Sequence, residues 1–304
     1  MGKRVIVIVG PTCSGKSYLG LNVADFLNGQ IISADSRQIY RRLNIGTAKP
    51  IEDELRKVKH HFINILNPDE NYDASIFVSE AEKIIGDLQS KNKPVIVVGG
   101  SGLYIKALID GIAESADKDE NLRNDLLKKK EKYGNEYLYK ELKKIDPVSA
   151  DRMLPQNWKR VMRAIEVIQL TGKPIWQHHQ LQNSKSKFDF YQIGLLWQRE
   201  ELYKRIEERV DKMIANGLVE EVQKIIDDGY DKNLNSLNTV GYKEIISYLE
   251  REYTLERAIE LIKRNTRRYA KRQLTWFNAD ERIHWENIGS IEDLDKFAHR
   301  VTSI

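Results

Sequence analysis

The sequence predicts an α/β protein, a P-loop doubly wound parallel sheet interrupted by a helical insertion domain. Three observations predict it. Short apolar runs rich in β-branched residues recur at 4–9, 30–34, 62–66, 95–98, 191–196 and 282–285, most of them separated by helix-like segments, as in a parallel sheet covered on both faces. The first run leads into a glycine loop, Gly10-Pro11-Thr12-Cys13-Ser14-Gly15-Lys16-Ser17, that opens a helix-compatible stretch. Between 114 and 187 the strand rhythm stops and charged helical patterns replace it. The expected division is a core first part at 1–113, a helical insertion at 114–187, and a second core part at 188–304.

The glycine loop is the most specific local signal. Its backbone N–H groups converge on phosphate oxygens at a helix N-terminus, Lys16 adds a point charge, and the Ser17 hydroxyl is a Mg²⁺ ligand. With Gly near ~7% of average composition, the fixed positions would arise by chance in a chain of this length about once in a hundred. The loop alone leaves open whether its phosphates are hydrolysed, transferred or released.

The second strand, 30–34, ends in Ala34-Asp35-Ser36-Arg37-Gln38-Ile39-Tyr40, which places Asp35 at the carboxyl edge of the sheet, where open α/β sheets bind ligands. A carboxylate there is a general base, a magnesium ligand or a turn cap, and position alone does not separate these. The run at 95–98 enters Gly99-Gly100-Ser101-Gly102, either a close backbone approach to a ligand with Ser101 offering a hydroxyl, or a tight turn and nothing more. In the insertion, helices are expected at 120–133, 136–144 and 157–170, the last stopped by Thr171-Gly172-Lys173-Pro174, with the polar segment 182–187 returning the chain to the core. Beyond the strand at 191–196, a helix at 200–216 carries the apolar stripe Leu202, Ile206, Val210, Met213, Ile214 and a C-terminal Gly217. A helix at 254–277 carries Arg257, Lys263, Arg264, Arg267, Arg268, Lys271 and Arg272 against Glu256 and Glu260, interleaved with Tyr269, Gln273 and Trp276. That pattern suits a nucleic-acid backbone, or a solvated face over a core stripe.

Composition sets bounds. The 304 residues are 31% charged and 41% hydrophobic, with no apolar run near the ~20 residues of a membrane helix, so a soluble cytoplasmic protein without a signal peptide is expected. Cys13 is the one cysteine, which excludes an intrachain disulfide and favours a reducing compartment. The net charge of +4 is compatible with nucleic acid without being evidence for it. His60-His61 and His178-His179 lack the spacing and partners of a zinc site, and Trp158 and Trp176 are expected to pack.

Taken together, the segments resemble the bacterial tRNA dimethylallyltransferase (tRNA isopentenyltransferase) family over nearly the whole chain. The resemblance rests on the loop 10–17 and on Asp35-Ser-Arg-Gln-Ile-Tyr40, continued by Ile45-Gly-Thr-Ala-Lys-Pro50. It includes His60-His61, Asn67-Pro68, Gly99-Gly-Ser-Gly-Leu-Tyr104, Asp146-Pro147, Lys159-Arg-Val-Met-Arg163 and Thr171-Gly172. It continues through Gly217-Leu-Val-Glu-Glu-Val222, Val240-Gly-Tyr-Lys-Glu244 and the run Thr266 to Phe277. The family resemblance implies transfer of a dimethylallyl group from dimethylallyl diphosphate to N6 of adenine 37 in tRNAs reading codons that begin with U, with Mg²⁺ as cofactor. It implies catalytic roles for Asp35, as proton acceptor, and for Ser101, with the loop Gly10 to Ser17 and Arg199 holding the diphosphate. It implies tRNA contacts from Asp35, Ser36, Arg37, Gln38, Ser101, Arg123, Lys159, Arg160, Val161, Met162, Arg163, Gly241, Tyr242, Lys243, Lys271, Arg272, Gln273 and Trp276. A monomer is expected, because one chain supplies every element of the site.

The chain departs from the family pattern at Gln156 and Asn157, where an Asn-Asp pair is usual, at Asn278 in place of arginine, and at Cys13 in place of alanine. These departures bear on single RNA contacts rather than on the reaction. Two other classes remain as alternatives on the residues alone: a P-loop kinase of a small metabolite, and a nucleotide-switched RNA-binding module in which Asp35 has no chemical work.

Overall fold

The computed structural model describes residues 4–112, 119–181 and 186–302. The chain falls into two compact units, Met1–Ile109 with Ser186–Ile304, and Asp110–Lys185. In the first unit, β1 (Arg4–Val9), α1 (Lys16–Phe26), β2 (Gln30–Ser33), α2 (Glu52–Lys57), β3 (His60–His61), α3 (Ala74–Ser90), β4 (Val95–Val98) and α4 (Gly102–Asp110) come first. The second unit holds α5 (Glu120–Tyr133), α6 (Asn135–Ile145), α7 (Pro147–Ala150), α8 (Trp158–Thr171) and α9 (Ile175–Leu181). The first unit then resumes with β5 (Asp189–Trp197), α10 (Arg199–Ala215), α11 (Leu218–Asp227), α12 (Tyr242–Leu249), α13 (Leu255–Phe277), β6 (Ile283–Ile288) and α14 (Ile291–Val301).

The six strands form one sheet in the order β3-β2-β4-β1-β5-β6, every pair parallel. Strand periodicity divides β1 between two cores. Val5, Val7 and Val9 join Ile32, Phe77, Ile85, Val97 and Leu108 on the face covered by α3 and α4. Ile8 joins Leu19, Val23, Ile96, Leu195, Ile206 and Val301 on the face covered by α1, α10 and α14. A third core, from Ile39, Leu43, Val210, Leu218, Val222, Tyr242, Ile245 and Ile262, binds α10 to α13 to the loop that follows β2. Caps fix several helix starts: Asp73 accepts from Ser75 and Ile76 N–H, Thr254 from Arg257 N–H, and Ser290 from Asp293 N–H.

One expected strand is displaced. The run at 62–66 is not a strand, and β3 is the two residues before it. Phe62 (φ 64°) and Asn64 (φ 57°) are left-handed, which breaks the ladder and turns the chain so that Leu66 meets Tyr40 in an isolated bridge. Phe62 is buried, whereas Ile65 is exposed, so the run does not alternate into the core as a strand would. The topology also separates Asp35 from the phosphate loop by one strand, since β4 lies between β1 and β2.

The second unit packs α5, α6, α7 and α8 around Leu126, Leu138, Leu142, Ala150, Val161, Met162, Ala164 and Ile165. Asp119 caps α5 and Asp146 caps α7, while Gly172 (φ 69°) ends α8 in the left-handed conformation expected of its Thr-Gly stop. The expected boundary at 113–114 and most of the expected linker at 182–187 lie outside the described residues. Among the described residues, no helix is long and apolar enough to cross a membrane.

Phe77 is fully buried and stacks on Tyr104 with centroids 4.8 Å apart. Its replacement by alanine should cost about 3–5 kcal/mol of unfolding free energy, read from denaturant melts. A loss below about 1 kcal/mol would contradict this packing.

Candidate active site

The loop between β1 and α1 forms a cradle because its carbonyl groups are drawn away from its amides. Lys16 Nζ donates to Pro11 O at 3.1 Å, Arg205 Nε to Cys13 O at 3.0 Å, and Trp197 Nε1 to Ser14 O at 2.8 Å. Cys13 (φ 66°) and Gly15 (φ 85°) are both left-handed, and alternation of this kind turns successive N–H groups to one side as an anion nest. At Cys13 the conformation is strained, a feature tolerated where a ligand is gripped. Thr12 and Ser14 N–H are spent inside the protein, on Gln273 Oε1 and Pro11 O. Among the described bonds, none occupies the N–H groups of Cys13, Gly15, Lys16 or Ser17. Burial lowers the Lys16 pKa to about 8, with Asp35 opposing the shift.

The loop opens into a cleft of about 800 Å³ lined by Thr12, Lys16, Ser17, Asp35, Arg205 and Arg209 among others. Asp35 Oδ1 accepts from Arg37 N–H at 2.9 Å and Gln38 N–H at 3.4 Å, so one oxygen caps the turn after β2. Its Oδ2 takes part in none of the described bonds. Of the roles that sequence position left open, the turn cap is present, and the second oxygen keeps its lone pairs out of every described bond. Ser101 Oγ accepts from Ser36 N–H at 2.9 Å, and Ser101 N–H donates to Ala34 O, which pins the Asp35 turn to the β4 loop. Arg37 Nη1 donates to Asn235 O, and Gln38 Nε2 donates to the carbonyls of Thr47 and Ala48. Burial, with the charge of Asp35, raises Tyr269 on the cleft wall to about 12, so its phenol stays protonated.

Behind the cleft, Glu221 on α11 receives the N–H groups of Asn44, Ile45 and Gly46 and the Tyr242 hydroxyl at 2.6 Å. One buried-side carboxylate thus shapes the 44–46 loop.

Several expected site residues stand elsewhere. Arg199 is not brought to the cleft; its guanidinium lies 5.2 Å from the Tyr203 ring centroid, and it is Arg205 and Arg209, further along α10, that reach the loop. Arg209 Nη1 lies 3.4 Å from Thr12 Oγ1 and 3.6 Å from Cys13 Sγ. The signal was present in the sequence as two arginines four apart beside the apolar stripe Leu202, Ile206, Val210. Tyr242 is fully buried with its hydroxyl on Glu221, so it is a core residue and not an RNA contact surface. Val161 and Met162, at 0% and 2% exposure, are core residues of the second unit. Gln273 is 6% exposed with both ends of its amide bonded internally. In each case the helix stripe that packs and the helix stripe that faces solvent were read together.

The basic residues remain partly available. On α13, Arg257 pairs with Glu260, Lys263 with Asp211 and Arg267 with Glu207, whereas Arg264, Arg268, Lys271 and Arg272 take no described ion pair. Trp276 is 43% exposed and Lys243 is exposed at the start of α12, after Gly241 (φ 101°). In the second unit Lys159 and Arg160 are exposed, while Arg123 and Arg163 flank the buried Glu166 at 3.7 and 3.4 Å. Lys130 sits over the Trp158 ring and Trp176 Nε1 meets Asp146, so both tryptophans pack. His60 Nδ1 meets Val58 O and His61 Nε2 meets Gln30 Oε1, and no group of three His, Cys, Asp or Glu side chains that could hold a metal occurs among the described residues.

The site defines a P-loop α/β protein whose anion cradle shares a cleft with a free carboxylate, the layout of group transfer from a phosphorylated donor. The chain belongs to the IPP transferase family, whose profile matches residues 38–280. It is 48% identical over 299 residues to a tRNA dimethylallyltransferase of Alkaliphilus oremlandii, covering 98% of this chain and 96% of that protein. It is 46% identical over 296 residues to one of Acetivibrio thermocellus, covering 96% and 94%. Among solved structures it is similar to a full-length tRNA isopentenylpyrophosphate transferase of Bacillus halodurans (TM-score 0.73, 37% identity, 99% and 96% of the two chains). It is also similar to a eukaryotic dimethylallyltransferase acting on tRNA (TM-score 0.84, 29% identity, 98% and 77%).

Because the charged Lys16 attracts an anion and a bound anion raises its pKa again, binding takes up a proton and affinity falls as pH rises through about 8. Diphosphate affinity, measured by calorimetry, should weaken between pH 7.5 and 9.5 by up to about tenfold per unit relative to Lys16→Arg, which stays charged. Parallel profiles for the two proteins would contradict this.

Proposed function

We propose that this protein transfers the dimethylallyl group of dimethylallyl diphosphate to N6 of adenine 37, beside the tRNA anticodon, in tRNAs reading codons that begin with U, releasing diphosphate. Membership of a family whose relatives are tRNA dimethylallyltransferases supports the reaction. The observation that carries the mechanism is the free Oδ2 of Asp35 in the same cleft as the open N–H groups of the phosphate loop. The kinase and switch alternatives assign no proton transfer to that carboxylate.

The allylic C1–O bond breaks with its electron pair passing to the diphosphate oxygen. The loop N–H groups and Lys16 stabilise the charge that grows there, with Arg205 and Arg209 beside them. The N6 lone pair, delocalised into the adenine ring, forms the new bond to C1 as Asp35 accepts the N6 proton. The base leaves its stack to reach the cleft. Ser101 holds the backbone of Ser36, so its part is to aim Asp35.

The donor set fits one Mg²⁺ ion. Ser17, exposed at the start of α1, would hold it through its hydroxyl, with the remaining ligands to come from substrate phosphate and water. When bound, the ion neutralises charge on the leaving diphosphate. Arg264, Arg268, Lys271 and Arg272 on α13, and Lys159 and Arg160 in the second unit, supply RNA-facing charge to the anticodon stem-loop. In this reading the working unit is a monomer, acting in the cytoplasm where its RNA substrate is found.

Purified protein incubated with Mg²⁺, labelled dimethylallyl diphosphate and unmodified tRNA carrying A36-A37-A38 should give N6-alkylated adenosine on digestion of the RNA. Phosphate transfer from ATP to a metabolite, with no labelled nucleoside, would overturn the reading. Stem-loop affinity should also fall with salt: four cations on α13 that take no described ion pair give a log–log slope of about −3 for a single-stranded loop. Constant affinity from low to physiological salt would remove the RNA from this basic surface.

A further inference from the structure

We propose that Gln273 is a positioning residue that fixes the distance between the diphosphate cradle and the proton-accepting carboxylate, and that it does not contact RNA. The proposal rests on the transfer reaction given above. The sheet order creates the need for such a residue. With β4 between β1 and β2, the phosphate loop and the Asp35 turn are not neighbours in the ladder, and the loop after β4 must bridge them.

Gln273 projects from α13 into that gap. Its Oε1 accepts Thr12 N–H at 2.8 Å, and its Nε2 donates to Gly100 O at 2.9 Å. From Gly100 the connection continues through the adjacent Ser101, whose Oγ accepts Ser36 N–H next to Asp35. One amide therefore ties the cradle to the turn that aims the base, with a donor and an acceptor each matched to a backbone group. A side-chain amide supplies both without a change of protonation state. Gly100 is fitted to it, since a Cβ there would stand 2.2 Å from Gln273 Nε2. The side chain is 6% exposed, while Lys271 and Arg272 beside it face solvent, so the helix divides its work between a brace inside and charge outside.

Transfer between a bound donor carbon and a bound nucleophile depends on their separation, and a displacement near 1 Å costs about a hundredfold. Gln273→Met keeps the length of the side chain and removes both bonds. It should lower kcat at saturating donor and RNA by about tenfold to a hundredfold, while the Kd of an unmodified anticodon stem-loop, measured without donor, stays within about twofold. That unchanged Kd also certifies a folded protein.

Gly100→Ala disturbs the same contact from the other side and should reproduce the kcat loss. The double variant should fall little further than either single one, because both remove one connection. A stem-loop Kd raised tenfold by Gln273→Met with kcat intact would make Gln273 an RNA contact and overturn the proposal, as would fully additive losses. If the unaltered protein transfers nothing, it is the reaction, and not the brace, that has failed.

Discussion

The proposed transfer puts two negative groups with opposite tasks in one cleft, and the architecture answers that constraint. The diphosphate has to be held and relieved of charge, while a carboxylate close to it has to stay ionised and keep a lone pair for a proton. Unbuffered, the two would repel. The phosphate loop answers with backbone amides and Lys16 on one side. The Asp35 turn answers with two N–H groups on one carboxylate oxygen, which keeps that oxygen solvated by protein and leaves the other for chemistry.

The sheet keeps these groups apart and in register. Inserting β4 between β1 and β2 prevents the cradle and the carboxylate from sharing a ladder edge, and the Gly99 to Ser101 loop carries the connection instead. Around them the surrounding residues hold backbone more often than they meet solvent: Gln38 holds Thr47 and Ala48, and Glu221 holds 44–46. Loops held in this way are pre-organised before either substrate arrives.

This explains what the sequence disclosed and what it hid. The doubly wound sheet was legible because β-branched runs alternate with amphipathic segments, and α5 was read with its bounds intact because Asp119 and Gly134 punctuate it. The placement of Gly10 to Ser17 between β1 and α1, and of Asp35 just past β2, was legible because the glycine spacing and the end of each apolar run mark those turns. The burial of Tyr242, Val161, Met162 and Gln273 was hidden, since a motif gives a residue's membership without saying which helix face carries it. The left-handed Phe62 was hidden for a related reason: the turn is held by long-range contacts, the bridge between Tyr40 and Leu66 and the bonds from Asn64 and Ile65 N–H to Gln38 and Ile39 O. Arg209 was hidden behind Arg199 because reaching the loop depends on where α10 is seated on the sheet.

The central claim is that Asp35 removes the adenine proton during bond formation. Asp35→Asn is the informative variant, because the amide oxygen can still accept the Arg37 N–H and keep the turn in place. Single-turnover transfer with both substrates prebound should slow by about a hundredfold or more, with stem-loop and donor affinities within a few-fold of the unaltered protein. A single-turnover rate left unchanged by this substitution would contradict the account.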